Sequence, residues 1–421
     1  MSLQKSWEIK GAAAVILCFV ALAGPIIYIA PESPTLADST GATTEGINSV
    51  VDANNQFALD LFSSIKNDTS GNIFFSSYSI FEALAMVYEG ARGQTAAEMQ
   101  SVFHFPTDNA TRRSSLAALY NELNENDANS ILRIANALWV QKDYTLLDEY
   151  LAIIEKYYAG NAANVDFRGA TEQARQTINA WVESKTDNKI TDLIPQGGLD
   201  PSTVLLLTNA IYFYGTWVTQ FNEGETRNET FTVSENQTVE VPMMSCTDTN
   251  AKFNYAEEAN LQILEMPYQG GNLSMLVLLP KDGNLTSLED SLTLEKLNQW
   301  RSELSPQRVD VYFPRFSLTT GYNLNENLKE MGMPSAFIPG TADFSGMDGT
   351  RNLYIGSVLH KAFINVNEKG TEAAAATAVS VVCLVATQTT VFRADHPFMF
   401  MIQDRTTGTI LFMGSIVNPT Q

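Results

Sequence analysis

Histidine and cysteine are scarce in this chain of 421 residues, with three of each. The histidines, His104, His360 and His396, stand far apart and none lies in a triad context. There is no Gly-x-Ser-x-Gly elbow either, so an exported hydrolase is poorly supported and the protein is not expected to be an enzyme. The cysteines, Cys18, Cys246 and Cys383, have neither metal-ligand spacing nor the even count of a disulfide framework. No metal and no cofactor is implied. Positive charge is short as well: 26 Lys and Arg face 47 Asp and Glu, for a net charge of −21. A phosphate backbone would be repelled, so nucleic acid is not an expected partner. The one adjacent basic pair, Arg112-Arg113, reads as part of a solvated helix face rather than a polyanion site.

Linkers and repeats are also missing. No Pro/Ser/Gly-rich break follows residue 46 and no repeat period appears. A hydrophobic content of 45% can bury a large core, so residues 47–421 read as one domain. Before it, residues 11–30 are apolar throughout and follow Lys5 and Lys10. Twenty such residues span roughly 30 Å as a helix, enough to cross a bilayer. Two readings fit: a signal peptide cleaved before Asp38, with Thr35 and Ala37 as its small residues, or a retained anchor. Either way the domain is expected to be exported, secreted or held at a membrane. Six Asn-x-Ser/Thr sequons, at Asn67, Asn109, Asn228, Asn236, Asn272 and Asn284, are compatible with an exported glycoprotein. Residues 31–46 have little apolar bulk and read as a flexible spacer.

Within the domain, Ile47, Val51, Ala58, Phe62 and Ile65 recur at helical spacing. Further helices are expected after Ser79, over Thr95–Phe103, and over Thr171–Thr186 with Thr171 as N-cap. Strand signals then dominate: Ile131–Val140, Thr203–Tyr214 as a central strand covered on both faces, Leu273–Leu279, Val309–Phe313, Phe363–Val366, Phe398–Ile402 and Ile410–Ile416. The last two are joined by a hairpin turn at 404–408. Helices first and strands later indicate an α+β domain.

One more absence carries the most information. From Ala373 to Phe392, twenty residues contain no charge, Gly, Pro, Asn or Asp, so the residues that make turns and cover loops are missing. The alanines at 373–376 favour helix, whereas the Val and Thr residues after them are β-branched and favour strand. In an extended chain alternate side chains face opposite ways. One face would then carry Thr371, Ala373, Ala375, Thr377, Val379, Val381 and Cys383; the other would carry Glu372, Ala374, Ala376, Ala378, Ser380 and Val382. Neither face would bury an unpaired charge away from its edge. A second membrane span fits poorly, because six of the twenty residues are Ser, Thr or Gln.

Several segments, in order along the chain, resemble the serpin family of serine protease inhibitors. They are Asn72-Ile-Phe-Phe-Ser-Ser-Tyr-Ser-Ile80, Gly90-Ala-Arg-Gly-Gln-Thr-Ala-Ala-Glu-Met99, Thr208-Asn-Ala-Ile-Tyr-Phe-Tyr-Gly-Thr-Trp217 and Val241-Pro-Met-Met244. Phe392-Arg-Ala-Asp-His-Pro-Phe-Met-Phe400 and Phe412-Met-Gly-Ser-Ile-Val-Asn-Pro419 follow. Two positions depart from the family pattern: Ser77 stands where Pro is usual, and Tyr214 where Lys is frequent.

The resemblance implies a large central mixed sheet with further sheets, surrounding helices, and an exposed reactive-centre loop at about 370–392. Its hinge would be Glu368, Lys369, Gly370, Thr371, Glu372, Ala373, Ala374, Ala375, Ala376 and Thr377. It also implies the activity: the loop is cut by a protease, inserts into the sheet, and traps the enzyme as a covalent complex. The family's count of fourteen residues beyond Gly370 places the scissile bond at Leu384–Val385, with Cys383–Leu384 and Val385–Ala386 as one-residue alternatives. Every choice offers an apolar residue, which favours chymotrypsin-, elastase- or subtilisin-like targets. Ser76, Ser79, Asn209, Trp217 and His360 match positions around the opening of the sheet. A monomer is expected. The alternative inside the family is a non-inhibitory carrier, chaperone or storage protein, against which the four hinge alanines speak.

Overall fold

The structure, a computed structural model, describes residues 36–124, 130–371 and 389–421. The apolar run at 11–30, the hinge residues Glu372 to Thr377, and the expected reactive bond with Cys383, Leu384, Val385 and Ala386 lie outside the described residues.

Helices come first because their caps and apolar stripes are strong there. Thr43 caps the helix Thr44–Asp68 by accepting the Gly46 N–H at 3.1 Å, and Val50, Phe57, Leu61 and Ile65 lie buried along one face. Ser76 caps Ser77–Gly90 through the Ser79 N–H, and that helix is buried almost all round. Helices Gly93–Val102, Asn109–Leu123, Asp148–Tyr158 and Thr171–Lys185 follow. Thr171 is not the N-cap of the last one. It lies inside the first turn, where its hydroxyl donates back to the Phe167 carbonyl at 2.6 Å.

The strands form three sheets among the described residues. The sheet that matters for the site has six strands, in the order Phe316–Asn323, Ser357–Asn367, Gly370–Thr371, Leu205–Thr216, Ser130–Gln141 and Asn161–Val165. It is mixed: Ser357–Asn367 runs parallel to Leu205–Thr216, while Ser130–Gln141 is antiparallel to it. Leu205–Thr216 is central and covered on both faces, as its unbroken apolar run predicts. Leu205, Leu207, Ile211 and Phe213 join the main core. Leu206 and Ala210 point the other way, toward Ile178 and Val182 of the Thr171–Lys185 helix. A seven-stranded sheet containing Phe398–Asp404 and Ile410–Ile416 closes the main core, and a four-stranded sheet contains Thr390–Arg393.

Two regions differ from what their composition suggests. Residues 36–46 do not behave as a free spacer. Ala37 is buried and exchanges hydrogen bonds with the Asn121 side chain at 2.9 Å in both directions. The Asp38 N–H donates to the Lys156 carbonyl at 2.7 Å, and the first helix starts at Thr44 rather than Ile47.

Arg112-Arg113 is not a solvated face either. Arg112 is 1% exposed and pairs with Glu89 at 2.9 Å, while Arg113 takes the other Glu89 oxygen at 2.6 Å. The Tyr158 hydroxyl donates to Glu89 at 2.7 Å, and the Arg112 guanidinium lies 4.5 Å over the Tyr88 ring. Burial works to raise the Glu89 carboxyl, but its partners hold it below the ordinary value. Glu89→Ala would leave two guanidiniums without their anion, one of them fully buried. Such a broken pair costs about 3–5 kcal/mol. Urea unfolding of this variant should show a loss of that size; a loss under about 1 kcal/mol would refute the pairing.

Candidate functional site

Ser357–Asn367 and Leu205–Thr216 pair directly over seven register positions, from Ser357 opposite Leu206 to Phe363 opposite Tyr212. Beyond those positions the two strands no longer pair with each other. A turn at 367–370 reverses the chain, and Gly370–Thr371 enters between them, antiparallel to both. Thr371 stands opposite Val366 on one side and Gly215 on the other, and it is fully buried. Of the expected hinge residues, Glu368 and Lys369 thus lie in the turn, and Gly370 and Thr371 lie inside the sheet.

Side chains fix that entry. Trp217 donates its backbone N–H to the Lys369 carbonyl at 2.8 Å and its indole N–H to the Asn367 carbonyl at 3.0 Å. Its ring stacks on Tyr268 at 4.4 Å, and the Tyr268 hydroxyl meets the Thr371 hydroxyl at 2.7 Å. Burial pushes the Tyr268 phenol well up, so it stays neutral. The buried Glu368 accepts from Thr226 at 2.7 Å and lies 3.5 Å from Arg315, while Lys369 pairs with Glu223 at 2.9 Å. Nothing in the sequence singled out Tyr268; its role depends on a contact with a residue 103 positions away.

Lower down, where the strands still pair, the expected polar residues do come together. Asn209 and His360 are register partners on the two strands. The His360 Nδ1–H donates to Asn209 Oδ1, while His360 Nε2 accepts the Ser76 N–H at 3.1 Å. Both ring nitrogens are therefore used by the neutral imidazole. Burial lowers the His360 pKa from 6.5 to about 3. The Asn209 amide donates to Ser79 Oγ and to Asn136 Oδ1. Asn136 in turn donates to the Ser79 carbonyl and to Glu82 Oε2, each at 3.1 Å. Ser76 Oγ donates to the Leu411 carbonyl at 2.7 Å.

This network pins both strands to the helix Ser77–Gly90, and it adds two members that were not anticipated, Asn136 and Glu82. Ser77 contributes as well. As the first helical residue it occupies a position that suits proline, and its hydroxyl instead donates to the Ile410 carbonyl at 2.9 Å.

The three histidines occupy separate places: His104 pairs with Asp60, His396 lies between Asp395 and the Pro280 carbonyl, and His360 is buried in the sheet network. Burial raises the Cys246 thiol to about 11, so it remains protonated.

At this site a parallel strand pair has a two-residue segment of the same chain, Gly370–Thr371, wedged between the strands at one end. The family model described as "Serpin (serine protease inhibitor)" matches residues 52–419, and the chain belongs to the serpin family. It is 45% identical over 374 residues to a serpin-like protein of Thermococcus kodakarensis, covering 88% of this chain and 86% of that one. It is 42% identical over 376 residues to the leukocyte elastase inhibitor of Homo sapiens, covering 87% and 98%. Among solved structures, uncleaved ovalbumin superposes with a TM-score of 0.79 at 32% identity, covering 88% of this chain and 100% of that one.

Proposed function

We propose that this serpin inhibits a serine protease of chymotrypsin-, elastase- or subtilisin-like specificity by acting as a suicide substrate. The observation that carries the proposal is Gly370–Thr371 already paired between two strands that are otherwise adjacent. Serpin loop insertion is itself an established instance of strand addition and stored strain; what this chain adds is a register. Continuing from Thr371, Ala373 would fall between Ile364 and Phe213, and Ala375 between Ala362 and Ile211. Thr377 would fall between His360 and Asn209, and Val379 between Val358 and Leu207. Those receiving residues are buried on the core side, and the incoming ones are small or apolar. Glu372 would fall beside the half-buried Asn365 and Tyr214, where its charge keeps contact with water.

Insertion replaces one parallel pairing by two antiparallel ones, which are slightly stronger per residue. The mechanism then follows. The protease serine attacks the loop carbonyl and forms an ester to it as the peptide C–N bond breaks and the downstream amine leaves with the serine's proton. The freed upstream segment then inserts, and the tethered enzyme is carried along. A fourteen-residue strand spans roughly 46 Å, so the protease ends far from where it docked and deacylation stalls. The name of the human relative, leukocyte elastase inhibitor, supports an elastase-like target. The apolar run at 11–30 supports export by either a cleaved signal or a retained anchor. All six sequon asparagines are exposed, which suits a glycoprotein. Among the described residues no helix is long and apolar enough to cross a membrane.

Incubation with a panel of serine proteases tests the proposal. A complex that survives a denaturing gel, with release of a peptide beginning at Val385, is expected. Clean cleavage with no complex would reassign the chain to the non-inhibitory members. Leu384→Arg should move inhibition toward trypsin-like enzymes by on the order of a hundredfold, because a charged residue now addresses the specificity pocket. An unmoved preference would displace the reactive bond to a neighbouring position.

A further inference from the structure

We infer that Tyr268 is a positioning residue for loop insertion: its hydroxyl, meeting that of Thr371, holds the start of the loop inside the sheet before any protease binds. The inference rests on the trapping activity proposed above. Much of the local architecture serves this one contact.

Tyr268 lies just past the strand Leu261–Pro267, in the seven-stranded sheet, yet its ring reaches the six-stranded sheet, where it packs on Trp217 at 4.4 Å and on Phe213 at 4.9 Å. Two glycines make room for the approach. A Cβ on Gly215 would stand 2.7 Å from the Tyr268 ring, and one on Gly370 would stand 2.0 Å from the Gly215 carbonyl oxygen. The two backbones therefore touch, and the Thr371 side chain meets the phenol at 2.7 Å.

Both hydroxyls are fully buried, and each residue is tied to an element that insertion leaves in place or extends. If either hydroxyl leaves, the other loses its partner in a dry site, which costs more than the bond itself contributes. The ring is held independently by Trp217, whose two N–H groups grip the turn at the Asn367 and Lys369 carbonyls. Stacking fixes where the phenol points, and the hydroxyl fixes whether Thr371 stays. Insertion then starts with its first residues already paired. Without that start, the acyl-enzyme has longer to hydrolyse before the strand enters.

Tyr268→Phe keeps the ring and removes only the hydroxyl, Thr371→Val keeps the shape of the threonine, and Thr371→Ser restores the hydroxyl. Hydrogen–deuterium exchange over residues 367–371 of the uncut protein reads the threaded state without any protease. Both hydroxyl-deleting variants should exchange at least about fivefold faster there, and Thr371→Ser should stay near wild type. With a protease that forms the complex, the same two variants should consume more inhibitor per trapped enzyme. The double variant should be no worse than the worse single one, because the two hydroxyls form one bond. Unchanged exchange in Tyr268→Phe and Thr371→Val overturns the inference even if trapping is intact, and so does a Thr371→Ser variant that behaves like Thr371→Val. If exchange rises as expected but the wild type traps no protease, the clasp stands and the inhibitor reading fails.

Discussion

Thr371→Arg should convert the inhibitor into an ordinary substrate of its target. Thr371 is fully buried between Val366 and Gly215, with the Tyr268 hydroxyl against its own. An arginine there would have to fit a space that threonine fills completely. Burying an unpaired guanidinium costs several kcal/mol, more than a hydrogen bond or two of new sheet can offset, so the first residue of the strand stays outside. Loop cleavage does not depend on that residue, so the protease still acylates. Insertion slows while deacylation keeps its rate, and every 1.36 kcal/mol added to the insertion barrier shifts the competition tenfold. The number of inhibitor molecules consumed per enzyme should rise by on the order of tenfold or more, with cleaved inhibitor replacing the covalent complex on a denaturing gel. Glu372→Lys supplies the contrast. By the same register Glu372 falls beside the half-buried Asn365 and Tyr214, where a cation can remain hydrated, so trapping should persist. If both variants trap equally well, the register drawn from Gly370–Thr371 is wrong.

The parts of this protein that were legible in its sequence are those in which chemistry repeats locally. The alternation from Thr371 onward puts one set of residues on a single face, and the burial of Thr371 between Val366 and Gly215 shows which face its first member meets. Helical spacing from Ile47 to Ile65 found the first helix, though its start at Thr44 follows from the Thr43 cap rather than from any apolar residue.

What stayed hidden depends on partners distant in sequence. In Ser357–Asn367 the apolar pattern is clear only from Phe363, because His360 and Lys361 break it, yet His360 is a core-facing residue satisfied by Asn209 and Ser76. Arg227–Ser234 gives little signal because its faces are largely polar and exposed, and Gln237–Cys246 because its buried apolar residues crowd into its second half around Pro242, so alternation is weak in both. Arg112 looked like a surface charge because Glu89, which buries it, belongs to another helix. Tyr268 and Glu82 had no signal at all. Each is an ordinary residue made unusual by what the fold places against it.

Glu82 leads to the second large effect, an opposition of two buried groups on one hydrogen-bond network. Burial drives the Glu82 carboxyl from an ordinary 4.5 up to about 8. The same cause drives the His360 imidazole from 6.5 down to about 3. Between pH 4.5 and 8 the folded protein keeps a proton on Glu82 that the unfolded chain releases. The stability linked to Glu82 is therefore complete below 4.5 and is lost as pH rises through about 8. His360 has the opposite sign. Between pH 3 and 6.5 the unfolded chain takes up a proton that the folded state refuses, so its contribution is complete above 6.5 and is lost as pH falls toward 3.

Each slope approaches about 1.4 kcal/mol per pH unit. The two cancel from about 4.5 to 6.5, and each acts alone outside that window. The wild type should therefore show a plateau of stability there, falling on both sides. Glu82→Gln removes one arm. Its side chain can still accept from Asn136, and it cannot ionise. Relative to wild type it should be close to neutral at pH 4.5 and more stable by several kcal/mol, up to about 5, at pH 8.5. Urea midpoints for the two proteins at those pH values decide it, and an advantage that is equal at both would mean the Glu82 carboxyl does not carry the alkaline arm. Asn136 links Glu82 to Asn209, and Asn209 pairs with His360 across Leu205–Thr216 and Ser357–Asn367, so the alkaline arm acts on the same network that joins those two strands to the helix Ser77–Gly90.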